Sequence, residues 1–361
     1  MKSFCQFTIG ILLFGLIVFP AQATFSSLYV FGDALSSTTD NPEVGPLYYG
    51  QRYSNGRVWI EVLAQRQGLT YYASNNDSYF DNGSADVVQE VNSFPAPSDV
   101  ANDLFIVWVN NADTFDAASV PDTSNQWTAA INQSQTNYLQ IITNLYAKGV
   151  NTLVLPNVVD ISEIPAFNAG TTLTGVEHAG CVAYNVAFSN TINQAMALCP
   201  GLTIYTPDFF TLLNNVLTNA ASYGLTNALG SGHSIDALHA RYYGYPSAAT
   251  NGFGTNLVFW DSQDPTAKLH EIMADVAQQL ISPVQISQIT LFNGSNQLAM
   301  ANVPVGLNGF VDGSTNLVNW TSVTNLSSTN AAETIFVPRP GPLQFYRLSF
   351  PIAWSWPTTL V

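Results

Sequence analysis

A β-prone run that halts at a Gly-Asp pair constrains this chain more than any other stretch. Leu28-Tyr-Val-Phe-Gly-Asp-Ala-Leu-Ser36 opens apolar and stops at Gly32-Asp33, the pattern of a buried strand feeding a tight turn. In open α/β sheets, ligands and reacting groups gather outside the carboxyl ends of the strands. The residues just past Gly32 are therefore where a site is expected. Asp33 is there, and position 34, where a nucleophile would be sought, is alanine.

The rest of the chain repeats the alternation that such a strand needs. Asn55-Gly56 makes a turn ahead of a helix whose apolar face is Val58, Ile60, Val62 and Leu63. Residues 70–102 are polar, with at most one short helix near Asp86–Val91. Strands are expected over Asp103–Val109, Asn151–Pro156, Leu202–Tyr205 and Asn256–Trp260. Helices are expected over Trp127–Lys148, from Cys181 to Cys199, over Asp208–Asn219, and after Asp261 through Leu280. Strands and helices in alternation predict an α/β fold, a parallel sheet with helices on both faces. From Ser282-Pro283 onward, short β-prone runs are separated by Asn-Gly, Asp-Gly and Pro-Gly turns, which predicts a small all-β domain over 284–350. Residues 351–361 read as a tail.

Ahead of all this, residues 1–23 carry Lys2, an apolar run from Phe7 to Phe19 and an Ala21-Gln-Ala23 ending, so a signal peptide cleaved after Ala23 and an exported chain are expected. The run is shorter than the roughly 20 residues of a spanning helix, and no later stretch is long enough to span. With 47% hydrophobic and 9% charged residues, the mature chain can bury a large core. A net charge of −15 with nine Lys and Arg opposes nucleic acid and acidic membranes. Cys181 and Cys199 bracket one helix, which separates them by about 27 Å, too far for a disulfide. Both read as small core residues.

Three strings together resemble the GDSL (SGNH) esterase and lipase family: Phe31-Gly-Asp-Ala-Leu-Ser36, Tyr53-Ser-Asn-Gly-Arg-Val-Trp59, and Phe259-Trp-Asp-Ser-Gln-Asp-Pro-Thr266. The resemblance spans Leu28 to Leu280. It implies the family's flavodoxin-like three-layer sandwich over 24–281 and hydrolysis of ester bonds without a cofactor. It also assigns positions: Ala34 fills the place of the nucleophilic serine, Asp261 that of the orienting aspartate, and Asp264 that of the catalytic histidine. The family's Gly-x-Asn-Asp block, registered on Asp113, puts the oxyanion asparagine at Ala112, with Asn111 one position away. Its oxyanion glycine has no clear place near Gly83. Asp33, Asp113 and Ser36 are expected to border the pocket.

An ester hydrolase of this kind needs an oxygen nucleophile, a base, a group that orients the base, and oxyanion donors. Alanine supplies no oxygen, and a carboxylate is a far weaker base than imidazole near neutral pH. The reading that follows is a secreted, catalytically impaired member that keeps a cleft for an ester, lipid or glycan ligand. Two alternatives stand beside it. One is a working hydrolase, with Ser36 or Ser37 as a displaced nucleophile or a water activated by Asp33, Asp261 and Asp264. The other is a structural or glycan-binding surface protein that uses the β domain. Three gathered carboxylates also suggest a weak calcium site at Asp33, Asp261 and Asp264. His239, in Asp236-Ala-Leu-His239, is a candidate for a relocated base.

Overall fold

The computed structural model describes residues 25–43, 47–119, 124–168, 174–226, 229–230, 233–234, 236–238, 256–339, 341 and 344–351. The expected signal peptide, most of the tail and His239 lie outside them.

Five parallel strands form the main sheet: β1 (Leu28–Gly32), β2 (Asn76–Ser78), β3 (Leu104–Trp108), β4 (Thr152–Val154) and β5 (Thr203–Tyr205), in the order β2-β1-β3-β4-β5. Its apolar strands are buried on both faces; every residue of β3 is buried, which requires helices on each side. These are α1 (Trp59–Arg66), α2 (Ser84–Ser93), α3 (Asn110–Ser119), α4 (Ser124–Ala147), the single-turn α5 (Pro165–Asn168), α6 (Thr174–Leu198), α7 (Phe209–Thr218) and α8 (Ala267–Ile281). One group packs α1 against α8, and the other packs α4 against α2, α3 and α6. Trp59 of α1, Trp108 of β3 and Phe209 of α7 meet edge to face, with ring centroids 5.1–5.6 Å apart. The order places β1 between β2 and β3, so the chain leaves β1 first to one side and then to the other. That reversal opens a crevice at the carboxyl ends of β1 and β3.

The expected last strand over Asn256–Trp260 does not join this sheet. Leu257 and Phe259 make only isolated bridges, to Thr226, Asp236 and Pro265. The segment folds back on itself instead: Trp260 N–H donates to Asp264 O at 2.8 Å and Thr266 N–H to Val258 O at 3.0 Å. Some elements lacked a sequence signal. β2 is Asn-Asp-Ser, an edge strand with no apolar alternation, and α3 begins in what reads as a loop. Leu229–Gly230 (β6) and His233–Ser234 (β7) pair as a short ladder. Cys181, within α6, and Cys199, just past its last residue, are both buried and unbonded.

Past α8, β8 (Gln285–Phe292), β9 (Ser295–Ala301) and β12 (Ala332–Pro338) form one antiparallel sheet, and β10 (Gly309–Ser314), β11 (Thr321–Leu326) and β13 (Phe345–Ser349) form another. The β8–β9 hairpin turns on Asn293 and Gly294, both at positive φ, as a two-residue loop demands. Leu298, Met300, Val311, Val337 and Leu348 build a core separate from that of the α/β layers. Trp320 is not part of this core; it lies half-buried beneath the Arg347 guanidinium, 4.5 Å from its ring. Arg66 of α1 reaches across to donate to Val305 O.

Candidate active site

Gly32 ends β1 where three segments crowd together. A Cβ there would stand 2.6 Å from Ser78 Oγ and 2.8 Å from Ser36 Cβ, so a larger residue would force β1 and β2 apart. The chain then makes a single 3-10 turn over Ala34–Ser36, capped by Asp33, whose Oδ1 accepts the Leu35 N–H at 3.0 Å. Beside it, β3 runs directly into α3. Asn110 Nδ2 donates to Pro156 O at 2.8 Å, and Asn111 Oδ1 accepts the Val159 N–H at 3.2 Å. With its oxygen so fixed, Asn111 turns its amide nitrogen to the Asp33 side. Burial pushes the Asp33 carboxyl from 3.8 up to about 7, outweighing the Leu35, Asn111 and Ala112 donors that pull it down.

Asp264 closes this space from the other side. The loop that carries it is built on Asp261, whose Oδ1 accepts the Gln263 and Asp264 N–H groups at 2.9 and 2.8 Å, while Oδ2 accepts the Tyr48 hydroxyl at 3.0 Å. Asp264 is 5% exposed. Burial, then the Asp261 charge and the hydrogen bond between the two carboxyls, hold it well above the usual carboxylate range. Burial raises Asp261 as well, against the pull of the Gln263, Asp264 and Tyr48 donors, so of the two carboxyls Asp264 is the one that favours the proton.

What grips the loop is the Ser-Asn-Gly segment. Ser54 Oγ donates to Pro265 O at 2.9 Å, Asn55 Oδ1 accepts the Ala267 N–H at 2.8 Å, and a Cβ on Gly56 would lie 2.5 Å from the Ala267 Cβ. The second and third strings of the sequence are therefore one structural unit, with Asn55 capping α8.

Two joined cavities result. The inner, about 140 Å³, is bordered by Asp33, Ala34, Asn111, Ala112, Phe80 and Asp264. The outer, about 530 Å³, shares Phe80, Gln263 and Asp264 with it and adds Glu43, Tyr48, Tyr53 and Asp261. Ala34, Asn111, Ala112, Asp33, Asp261 and Asp264 are thus brought together around one cleft. The asparagine amide at the cleft is that of Asn111, one position before the string register, in the first turn of α3. Tyr48, Tyr53, Phe80 and Gln263 went unassigned in the sequence, although Tyr48 and Tyr53, just before and within the Ser-Asn-Gly string, are a usable sign of a lined cleft.

Two expected pocket residues lie elsewhere. Asp113 turns away: its Oδ1 accepts the Ser84 N–H at the start of α2 at 2.9 Å, and its Oδ2 accepts from the Ser134 hydroxyl. Ser36 is fully buried, and its Oγ accepts the Trp59 indole N–H at 3.0 Å. Ser37 is fully buried too, and neither serine lines the inner or outer cavity. Among the described residues, no three His, Cys, Asp or Glu side chains are placed to hold a metal ion, so the calcium site suggested for Asp33, Asp261 and Asp264 does not form. His270 is fully buried: Nδ1 accepts the Trp59 N–H at 3.3 Å, and burial drives the imidazole down to about 3. His178 pairs with Asp160 at 2.6 Å, away from the cleft.

A family model for the GDSL-like lipase/acylhydrolase domain matches residues 28–277. The chain belongs to that family. Solved structures similar in fold include Axe2, an acetylxylan esterase from Geobacillus stearothermophilus. It is 12% identical, covers 72% of this chain and 97% of its own, and has a TM-score of 0.44. A GDSL-like lipase from Parabacteroides merdae is 9% identical, covers 73% and 98%, and has a TM-score of 0.43. A third, LAE5, described as an alpha/beta hydrolase enzyme from the metagenome of Lake Arreo, Spain, is 11% identical, covers 73% and 97%, and has a TM-score of 0.42. No curated protein matches the chain. As a GDSL-family chain, it carries the family's fold with alanine after Gly32-Asp33.

Proposed function

We propose that this chain is an exported GDSL-family protein that has lost the serine-hydrolase reaction and keeps the cleft as a binding site. The observation that carries the reading is Ala34. It borders the inner cavity next to Asp33, Asn111 and Asp264, where the family resemblance places the nucleophile, and it has no oxygen to attack an acyl carbon. The neighbouring serines offer no replacement. Ser36 is committed to Trp59 and Ser37 is sealed from the cleft. Asp264, at the histidine position, is a carboxyl that burial and the Asp261 charge hold well above the usual carboxylate range, and a carboxylate is a far weaker base than the imidazole it replaces. The Asn111 amide still lines the inner cavity, in keeping with a ligand whose polar group sits beside Ala34. Of the ligand classes, an acyl chain has the least room. The apolar crevice under Leu35, Trp108 and Phe209 measures about 30 Å³, against about 140 and 530 Å³ for the two polar cavities on the same measure. A small ester or a glycan suits the wider polar cleft better.

Export is part of the proposal and rests on the apolar run and Ala-Gln-Ala ending of residues 1–23. The test of activity is hydrolysis of short- and long-chain nitrophenyl esters by the purified mature chain, with labelling by an organophosphonate ester probe. Turnover no faster than buffer and no labelled serine are expected. Labelling at any serine of the unaltered chain would overturn the reading.

A further inference from the structure

The ionisable side chains that line the two cavities are carboxyls and phenols: Asp33, Asp81, Asp116 and Asp264 around the inner one, Glu43, Asp261, Tyr48 and Tyr53 around the outer. No lysine, arginine or histidine lines either among the described residues. A group of acids alone only repels itself, but Asp33, which borders the inner cavity, takes the Leu35 N–H on Oδ1 with Asn111 and Ala112 as looser donors, and one of its oxygens is left without a well-formed hydrogen bond. Asp33 is 3% exposed, and its Oδ2 accepts no well-formed hydrogen bond. A buried acceptor left in that state carries a desolvation cost, and a ligand that brings a donor relieves it. The rim is aromatic. Tyr53 and Phe80 stand 5.8 Å apart between ring centroids, tilted by 35°, and Tyr48 is held by its hydroxyl on Asp261. Ring faces attract cations, most strongly where water is excluded.

We infer that the cleft binds an organic cation. An ammonium head enters the inner cavity to donate to Asp33 Oδ2 and Asp264, and the carbon frame lies in the outer cavity against Phe80 and Tyr53. A metal ion is disfavoured because the carboxyls do not converge as a ligand set. An anionic ligand would face only like charge. The inference rests on the reading of the cleft as a ligand site and adds the sign of the ligand's charge.

The test is calorimetric titration of the full mature chain near pH 7 with two matched pairs: n-butylammonium against n-butanol, and glucosamine against glucose. Each ammonium compound is expected to bind at least tenfold more tightly than its neutral partner, and more weakly as salt rises. Asp33→Asn and Asp264→Asn should each lower ammonium affinity tenfold or more. Both should still fold, since each removes a buried carboxyl whose charged form is disfavoured, and their melting temperatures report this directly. Binding should also release a fraction of a proton, seen as a heat that depends on the buffer, because the cation favours ionised Asp33 over the protonated form that burial supports. Equal affinity within each pair would overturn the cation and leave the ligand cleft standing. No binding by any of the four would overturn both, and ammonium binding unchanged in both variants would place it outside the cleft.

Discussion

Asn55 Oδ1 accepts the backbone N–H of Ala267 at 2.8 Å, across 212 residues of chain. It caps α8 from outside, in the role a residue at the helix's own start usually fills, because Thr266 makes no side-chain cap there. The Thr266 hydroxyl is spent on Leu257 O instead. Asn55→Ala should therefore cost about 1–2 kcal/mol, the range of a lost helix cap, and Asn55→Asp should retain most of it. Urea unfolding of the three chains checks this. Equal midpoints for the alanine variant and the parent would show that the cap contributes nothing.

Arg66 and Asp275 form a buried pair at 2.6 Å that joins α1 to α8, and the same guanidinium holds Val305 O of the C-terminal domain. Removing one partner strands the other charge. Arg66→Met is expected to lose about 3–5 kcal/mol, whereas Arg66→Met with Asp275→Leu should lose clearly less. A double-mutant cycle by denaturant unfolding decides the matter, and additive losses would deny the coupling.

Opposed shifts set the pH dependence of stability. Asp33 rises from 3.8 to about 7 and Asp264 shifts the same way. Their contribution is fully present below the unfolded carboxylate pKa and is lost as pH climbs through the folded value. His270, lowered from 6.5 to about 3, stabilises above the unfolded histidine pKa and loses that contribution as pH falls toward 3. Between about pH 4 and 6.5, Asp33 and His270 oppose each other, each by at most about 1.4 kcal/mol per pH unit, and Asp264 tips the balance toward acid. The melting temperature should peak at mildly acidic pH and decline toward pH 8. Asp33→Asn should flatten that decline, and a parent chain most stable at pH 8 would contradict the account.

Most of the sheet could be read from sequence because its strands are apolar runs ended by turn residues: Leu28–Phe31, Leu104–Trp108 and Thr152–Val154 announce themselves. Asn76–Ser78 does not. It is an edge strand fixed by what flanks it, with Asn76 Nδ2 on Ser36 O and Asn82 Nδ2 on Gly32 O, contacts that only the folded chain creates. The reverse error came at Asn256–Trp260, whose apolar run marks burial but not pairing. The cleft was legible at the ends of strands, in Asp33, Ala34 and Asn111, and in Asp261 and Asp264 through family likeness. Ser36 and Asp113 carried the right chemistry at the right spacing, yet a 3-10 turn and a helix start rotated both away. Phe80 reaches the cleft because its N–H is held on Asp40 Oδ2 at 2.7 Å, a tertiary contact that no periodicity records.

Ala34 and Asp264 border the same inner cavity, and Asp261 is already hydrogen-bonded to the Asp264 carboxyl. If the chain is a hydrolase frame without its catalysts, Ala34→Ser with Asp264→His places an oxygen, an imidazole and an orienting carboxylate in sequence around one space. Neither change alone should suffice, because the proton transfer needs both the hydroxyl and its base. Tyr48→Phe added to the pair should help further, since Asp261 Oδ2 is occupied by that phenol and would be freed to hold the new imidazole in one tautomer. Recovery will be partial. The Asn111 amide is present as an oxyanion donor, but the family's oxyanion glycine has no clear place near Gly83, which caps α2, and the next N–H, that of Ser84, is taken by Asp113. A missing oxyanion donor costs about 10²–10³ in rate. The measurement is nitrophenyl acetate turnover together with mass-spectrometric mapping of organophosphonate labelling. Labelling confined to the serine introduced at position 34, found in the double variant and not in the unaltered chain, is the expected result. A double variant that folds, gains no turnover and takes no label would mean that Ala34 does not mark the reacting position.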